Sequence, residues 1–240
     1  LTAEGVLAAG SRHQPGGTGS AGLRGGDLKV TASTTHLPEW MPFVAALRPG
    51  KPPVPLELRG RAELSGVLRG PPSALRLEGR LEATDFRYDG RQWNRFAGNL
   101  AYSADLLRVT GAEFRRDESS IRVNLTASLE HGGFSDTSPF SLQATVDGAR
   151  VADLQALAGT SQPLTGLVNG SLRVTGTWLQ PQGSGAAQVT GGTLAGEPFD
   201  SLRANLTFAQ GEWRAGDLAL KKGSVLISGE AGYRPAGKSY

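Results

Sequence analysis

The chain has 240 residues, 38% hydrophobic but only 7% aromatic, with 34 glycines and 14 prolines, a mix that suits many short strands and turns better than long helices. Lys and Arg number 25 against 22 Asp and Glu, and a net charge of +3 without a dense basic cluster gives no basis for nucleic-acid binding. With no cysteine, the chain has no disulfides, thiolate metal sites or cysteine nucleophiles, and no apolar run reaches the roughly 20 residues that a membrane-spanning helix needs.

The chain starts at Leu1 without a signal peptide and has one methionine, Met41, so it reads as a segment whose membrane anchor, if any, lies outside it. Gly10 to Gly26 reads as a flexible hairpin loop. It contains a GxGxxG spelling at Gly17 to Gly22, but the motif follows no buried strand and opens no helix, so a loose glycine loop is expected there. DLKVTAS (27–33) alternates as a strand. Pro38 to Leu47 breaks the period and predicts a short helix, with Trp40, Phe43 and Val44 on one face.

From residue 56 the alternation is explicit. Leu56, Leu58, Gly60, Ala62, Leu64, Gly66 and Leu68 share one parity, and Glu57, Arg59, Arg61, Glu63, Ser65 and Arg69 the other, with Val67 the exception. Side chains alternate across a strand, so the segment has one apolar and one charged face, whereas a helix would scatter the charge. Leu75, Leu77, Gly79, Leu81 and Ala83 oppose Arg76, Glu78, Arg80, Glu82 and Thr84 in the same way. In 93–102 the apolar positions include Phe96, Leu100 and Tyr102. Ile121, Val123, Leu125, Ala127 and Leu129 follow, then Phe140, Leu142, Ala144 and Val146.

Val151 to Ala158 predicts a second short helix, with Leu154, Leu157 and Ala158 on one face and Asp153 as its cap. Alternation resumes with Val168, Leu172, Val174 and Trp178, and continues through Leu202, Leu206 and Phe208 to Val225 and Ile227. Turn signals punctuate the runs at Arg69-Gly70-Pro71-Pro72, Asp89-Gly90, His131-Gly132-Gly133 and Lys222-Gly223. Sheets with one wet face are normally antiparallel.

The chain also resembles itself. WNRFAGNLAY (93–102) parallels FDSLRANLTF (199–208), matching Trp93 to Phe199, Phe96 to Leu202 and Asn99-Leu100 to Asn205-Leu206. LTASL (125–129), SLQATVDG (141–148) and PLTGLVNGSLRVTG (163–176) parallel LTAEG (1–5), DLKVTAS (27–33) and VPLELRGRAELSG (54–66), which aligns Gly60 and Gly66 with Gly170 and Gly176. The offset drifts between about 104 and 110, a repeat of roughly 110 residues. It divides the chain into the end of one β unit (1–53), a complete unit (54–161) and most of a third (162–240), stacked through their edges.

Chemical motifs are weak. GYRPAGKS (232–239) spells a P-loop, but no room remains for the helix that must begin at Lys238-Ser239. His13, His36 and His131 have no metal-ligand spacing, and no serine sits in a GxSxG elbow. Asp117-Glu118 reads as a solvated hairpin tip, and no carboxylate dyad stands out. The sequons at Asn124, Asn169 and Asn205 lie within strands, where such spellings are usually coincidental. No catalytic residue, metal site or cofactor is expected, and the chain does not read as an enzyme.

About 30 apolar side chains share one parity, and burying each is worth roughly 1.5–3 kcal/mol, so a fold must cover them. Two sheets can press together with a dry core, or one sheet can curl into a trough that acyl chains complete. Some 15 strands spaced at about 4.8 Å would make a body about 70 Å long. Gly60, Gly66, Gly170 and Gly176, at apolar parity, either permit sharp curvature or mark bulges.

The units of the form PLTGLVNGSLRVTGTWLQPQ, then GGTLAG, then FDSLRANLTFAQGEWRAGDLALKKGSVLISGEAGY, resemble the AsmA-like superfamily, TamB-like proteins in particular. The resemblance implies an all-β, elongated antiparallel sheet curled into a taco-like groove, with short helices between units. It implies a periplasmic segment of a protein anchored in the inner membrane, which binds and conducts phospholipid acyl chains toward the outer membrane. An outer-membrane barrel is an implied partner, but the C-terminal segment that would meet it is not recognisable here. The apolar-parity residues named above, Leu56 through Ile227, are the implied groove lining. The alternative is a structural or adhesin-type rod with a closed, dry core.

Overall fold

The computed structural model describes residues 27–35, 56–71, 74–209 and 212–233. The expected helix at 38–47 and the glycine loop at 10–26 lie outside the described residues, as does most of the P-loop spelling. Thirteen strands form among the described residues: β1 (Leu28–Thr34), β2 (Leu56–Leu58), β3 (Ala62–Arg69), β4 (Arg76–Tyr88), β5 (Arg91–Tyr102), β6 (Leu106–Arg116), β7 (Ser119–Ser128), β8 (Phe140–Arg150), β9 (Leu167–Gly176), β10 (Pro181–Leu194), β11 (Glu197–Ala209), β12 (Glu212–Lys222) and β13 (Val225–Tyr233). One helix, α1 (Val151–Ala158), joins β8 to β9.

All strands belong to one antiparallel sheet in which β3 to β13 follow chain order, β1 lies beside β3, and β2 pairs with the end of β4. The sheet is open and elongated, and β1 does not meet β13. Twelve strands in line at about 4.8 Å extend it over roughly 50 Å along its contour. No second sheet faces it among the described residues.

The alternation is interrupted along one line. Thr84 and Asp85 both face the polar side between Ala83 and Phe86, and Asn94 and Arg95 do the same between Trp93 and Phe96. Similar interruptions recur at Gly111 in β6, Gly148 in β8, Gly191 in β10 and Asp217 in β12, and together with Asp85 these residues have φ of 49–59°. Bulges of this kind bend a strand and raise its twist, so a row of them folds the sheet lengthwise. Asparagines on the following strand hold two of them: Asn124 Oδ1 accepts the Gly111 N–H at 2.7 Å, and Asn169 Oδ1 accepts the Gly148 N–H at 2.9 Å. Asn205 Nδ2 donates to Asp217 Oδ2 at 2.9 Å. The three asparagines of the sequons therefore have a structural role at the bulge line. Replacing Asn169 by Ala is expected to cost about 0.5–1.5 kcal/mol in urea unfolding, while Asn169→Asp, which keeps the acceptor, stays near wild type.

From Gly60 onward the self-similarity follows one spacing. The turn at Asp89-Gly90 recurs at Ala195-Gly196, with positive φ at all four residues. Asn94 Oδ1 accepts the Asp117 N–H at 2.6 Å, and Asp200 Oδ2 accepts the Gly223 N–H at 2.7 Å. Gly60 lies under the Thr84 carbonyl and Gly166 under that of Thr190. Each pair (89 and 195, 94 and 200, 117 and 223, 60 and 166) is 106 residues apart. Over this stretch the offset is a constant 106, so Gly60 corresponds to Gly166 and Gly66 to Leu172, not to Gly170 and Gly176, whereas β1 beside β3 corresponds to β8 beside β9 at 114, Leu28 to Leu142. Sequence letters alone misaligned these because glycine recurs along a single parity, at Gly166, Gly170 and Gly176, so a slip of four residues still matches glycine to glycine.

Helix α1 closes on a left-handed Gly159 (φ 64°), with the Gly159 N–H bonded to Ala156 O and the Thr160 N–H to Gln155 O. Asp153 does not cap it. The N-cap is Arg150, without a side-chain cap bond, and Asp153 is 1% exposed inside the protein. Val151, Asp153 and Ala156 are its buried residues, and Leu154 and Leu157 pack on the sheet, whereas Ala158, expected on that face, is exposed.

Candidate functional site

The apolar face forms continuous rows across the strands. One runs Val30, Gly66, Gly79, Leu100, Val109, Leu125, Leu142, Val174, Gly183, Phe208 and Trp213, each residue paired with the next. It crosses eleven strands without a charged residue. A parallel row holds Leu64, Leu81 and Gly98 on one side of the bulge line, then Ala112, Val123, Ala144, Leu172, Gly185 and Leu206. Leu77 pairs with Tyr102, whose hydroxyl donates to Gly132 O at 3.1 Å.

Glycines show which way the sheet curls. At apolar parity, a Cβ on Gly66 would lie 2.4 Å from Glu78 O, one on Gly79 2.5 Å from Ser65 O, one on Gly170 2.5 Å from Ala186 O, and one on Gly183 2.0 Å from Arg173 O. All are below van der Waals contact with the backbone of the adjacent strand. A neighbouring strand approaches a Cβ this closely only where the sheet is folded toward that Cβ, so the apolar face is the inside of the fold. The two sharp lines are β3/β4 and β9/β10, which correspond under the 106-residue spacing. Gly66, Gly79, Gly170 and Gly183 thus serve curvature, and Gly176, with φ of 106°, starts a turn.

The structure divides the candidate lining residues into two groups. Near the turns at 89–90, 117–118 and 195–196, α1 lies against the apolar face. Phe86, Trp93, Ile121 and Ala149 are buried in one cluster there, with Leu58, Phe96, Phe114, Val123, Leu154 and Leu157 packed against it. Val151, Val168, Val189 and Phe199 form a second, with Leu202 and Leu220 against it. Leu58, Phe96, Ile121, Val123, Val168 and Leu202 therefore belong to the helix-covered base. Away from α1, Leu81, Leu100, Tyr102, Leu125, Leu142, Leu172 and Leu206 are only half-buried, while Leu64, Leu77, Val174 and Phe208 are buried by their neighbours. Leu56 pairs with Tyr88, and Val225 and Ile227 stand exposed on β13.

The base was not legible from strict alternation. Asp85 shifts the parity within β4 and Asp200-Ser201 within β11, so Phe86 and Phe199 join the apolar face one residue out of phase. The signal available was a pair of successive polar residues, Thr84-Asp85 and Asn94-Arg95, inside otherwise alternating runs. Trp93 stacks on Phe86 at 6.5 Å and meets Phe114 edge-on at 5.5 Å. The base is pinned by one buried ion pair, in which Arg116 Nη1 donates to Asp153 Oδ1 at 2.5 Å, with Arg116 19% exposed.

The opposite face is ionic and wet. Glu82 accepts from Arg80 at 2.6 Å and Arg95 at 3.1 Å, and Glu113 pairs with Arg115 at 3.1 Å and Arg122 at 3.2 Å. Hydrogen bonds from Arg80 and Arg95 hold the Glu82 carboxyl below its usual range, and the bond from Arg115 does so for Glu113. These groups favour the fold above the ordinary carboxylate pKa and lose that contribution as the pH falls through their lowered values, a small effect at such exposure.

Among the described residues, no group of three or more His, Asp or Glu side chains could hold a metal ion, and no helix is long and apolar enough to cross a membrane. Comparison with family models, curated proteins and solved structures finds no match.

Proposed function

We propose that this chain is a non-enzymatic β-groove segment that holds phospholipid acyl chains along its apolar face, as a periplasmic part of an inner-membrane-anchored, AsmA/TamB-like protein serving outer-membrane biogenesis. The observation that carries this reading is the uncharged row from Val30 to Trp213 on the inner face of an open, curled sheet. Half-buried Leu100, Leu125 and Leu142 along it, and Leu206 in the parallel row, have no protein layer over them among the described residues. At roughly 25 cal/mol per Å2, that exposed apolar area favours a hydrocarbon cover. The ionic outer face keeps the segment in water, and α1 closes the base of the groove beneath the rows.

Charge in these rows separates a groove from a dry rod. Leu100→Glu and Leu206→Glu are expected to abolish phospholipid co-purification, read by solvent extraction and mass spectrometry, with little change in melting temperature. In a dry core the same carboxylates would be buried without partners and would unfold the protein by several kcal/mol. Wild-type protein that carries no lipid, or variants that carry as much as wild type, would sink the groove reading.

A further inference from the structure

The hairpin between β9 and β10 ends in an apolar pair that the fold does not bury. Trp178 and Leu179 sit at the centre of the turn Thr177–Gln180, at the end of the sheet remote from α1, and are 62% and 61% exposed. Neither belongs to the two buried clusters. The turn is held by several bonds. The Gln180 N–H donates to Thr177 O and to Thr177 Oγ1, each at 3.2 Å, and the Leu179 N–H donates to Asp136 O at 3.3 Å. The 135–138 turn that receives it is itself fixed, with the Ser135 N–H on Ser138 Oγ at 3.0 Å and Ser138 1% exposed. At the 106-residue spacing the apolar pair corresponds to Pro72 and Ser73, so the repeat does not require large apolar side chains at this tip. From Val174 to Gly196 the chain has no charged residue, so the hairpin can leave water without stripping a charge.

We infer that this hairpin tip docks on a lipid bilayer surface, with Trp178 and Leu179 entering the boundary between headgroups and acyl chains. Trp, apolar in body with a single N–H, suits that boundary. No Lys or Arg lies between Arg173 and Arg203, so the attraction is apolar and not a matter of opposite charge. Asp136, whose carbonyl takes the Leu179 N–H, is exposed and brings a negative charge beside the tip. Anionic lipid therefore gains nothing there over zwitterionic lipid. Val174 and Gly183 of the apolar row stand four residues to either side of the pair, so a docked bilayer meets the rim of that face. The docking is independent of whether the face itself holds lipid.

The probe is a phosphatidylcholine vesicle, mixed with the intact chain and read by flotation. Binding is expected, and should change little when anionic phospholipid is added or salt is raised. Trp178→Ser combined with Leu179→Ser should weaken it by about tenfold or more, at an unchanged melting temperature. Trp178→Phe keeps the apolar body and should still bind. It should lose most of the fluorescence quenching that phospholipid brominated on its acyl chains produces in wild type. Leu100→Glu and Leu206→Glu should float with the vesicles as wild type does, so loss of groove lipid and loss of docking are read separately. Wild type that stays off the vesicles, a serine double variant that floats equally well, or undiminished quenching in Trp178→Phe would overturn the inference. So would binding that disappears with Leu100→Glu, which would assign it to the groove.

Discussion

Replacing Asp153 by alanine is expected to destabilise the protein by about 3–5 kcal/mol in urea or thermal unfolding. Asp153 is 1% exposed, and its Oδ1 takes the Arg116 guanidinium at 2.5 Å. Its Oδ2 has no hydrogen-bond donor, so the pair is held by one contact in a site shielded from water. Removing the carboxylate leaves the Arg116 guanidinium, only 19% exposed, without its counter-charge. The loss is mostly that stranded charge and not the intrinsic strength of the pair. The double variant Arg116→Met with Asp153→Leu should therefore recover most of the stability, or exceed wild type by about 1–4 kcal/mol. If the double variant were as unstable as Asp153→Ala, the pair would be fixing α1 on the sheet by geometry that apolar packing does not replace.

Gly183→Ala is expected to cost about 1–3 kcal/mol, although it adds a single methyl group to a strand. The Cβ would lie 2.0 Å from Arg173 O and 2.8 Å from the Cα of Val174. Both are backbone atoms of β9, so no side-chain rotation relieves the overlap, and the β9/β10 fold must open. Gly229→Ala is the control. No atom lies within 4 Å of its would-be Cβ, and it should stabilise the chain by about 0.4–1 kcal/mol by restricting the unfolded state. Urea unfolding reads the difference, and small-angle scattering reads the curl, which should widen for Gly183→Ala alone. Equal stability and equal scattering for the two variants would mean that glycine is not what permits the sharp fold.

Much of the sheet could be read directly from residue order. Period two places Leu64, Leu81, Leu125, Leu142 and Leu172 on one face, and all are on it, because a strand puts residues i and i+2 on the same side and their neighbours on the other. The turn at Asp89-Gly90 and the helix at 151–158 were equally local, since turn residues and a break in period are written within a few positions. The matches of Trp93 to Phe199 and of Asn99 to Asn205 held at the common spacing of 106 for the same reason.

The role of Asp153 was beyond local reading. Near a helix start an acidic residue satisfies the capping rule, and only the packing of α1 on the sheet brings Arg116, 37 residues away, against it. Asn124 and Asn169 as holders of bulges depended on an N–H presented by the neighbouring strand. Phe86 and Trp93 depended on a change of parity that strict alternation does not contain. Residue order by itself determined which side chains face together, because that is a property of one strand and its turns. The direction in which the sheet folds, and the base that α1 covers, were decided by tertiary structure, because both depend on how closely one strand's backbone approaches the next.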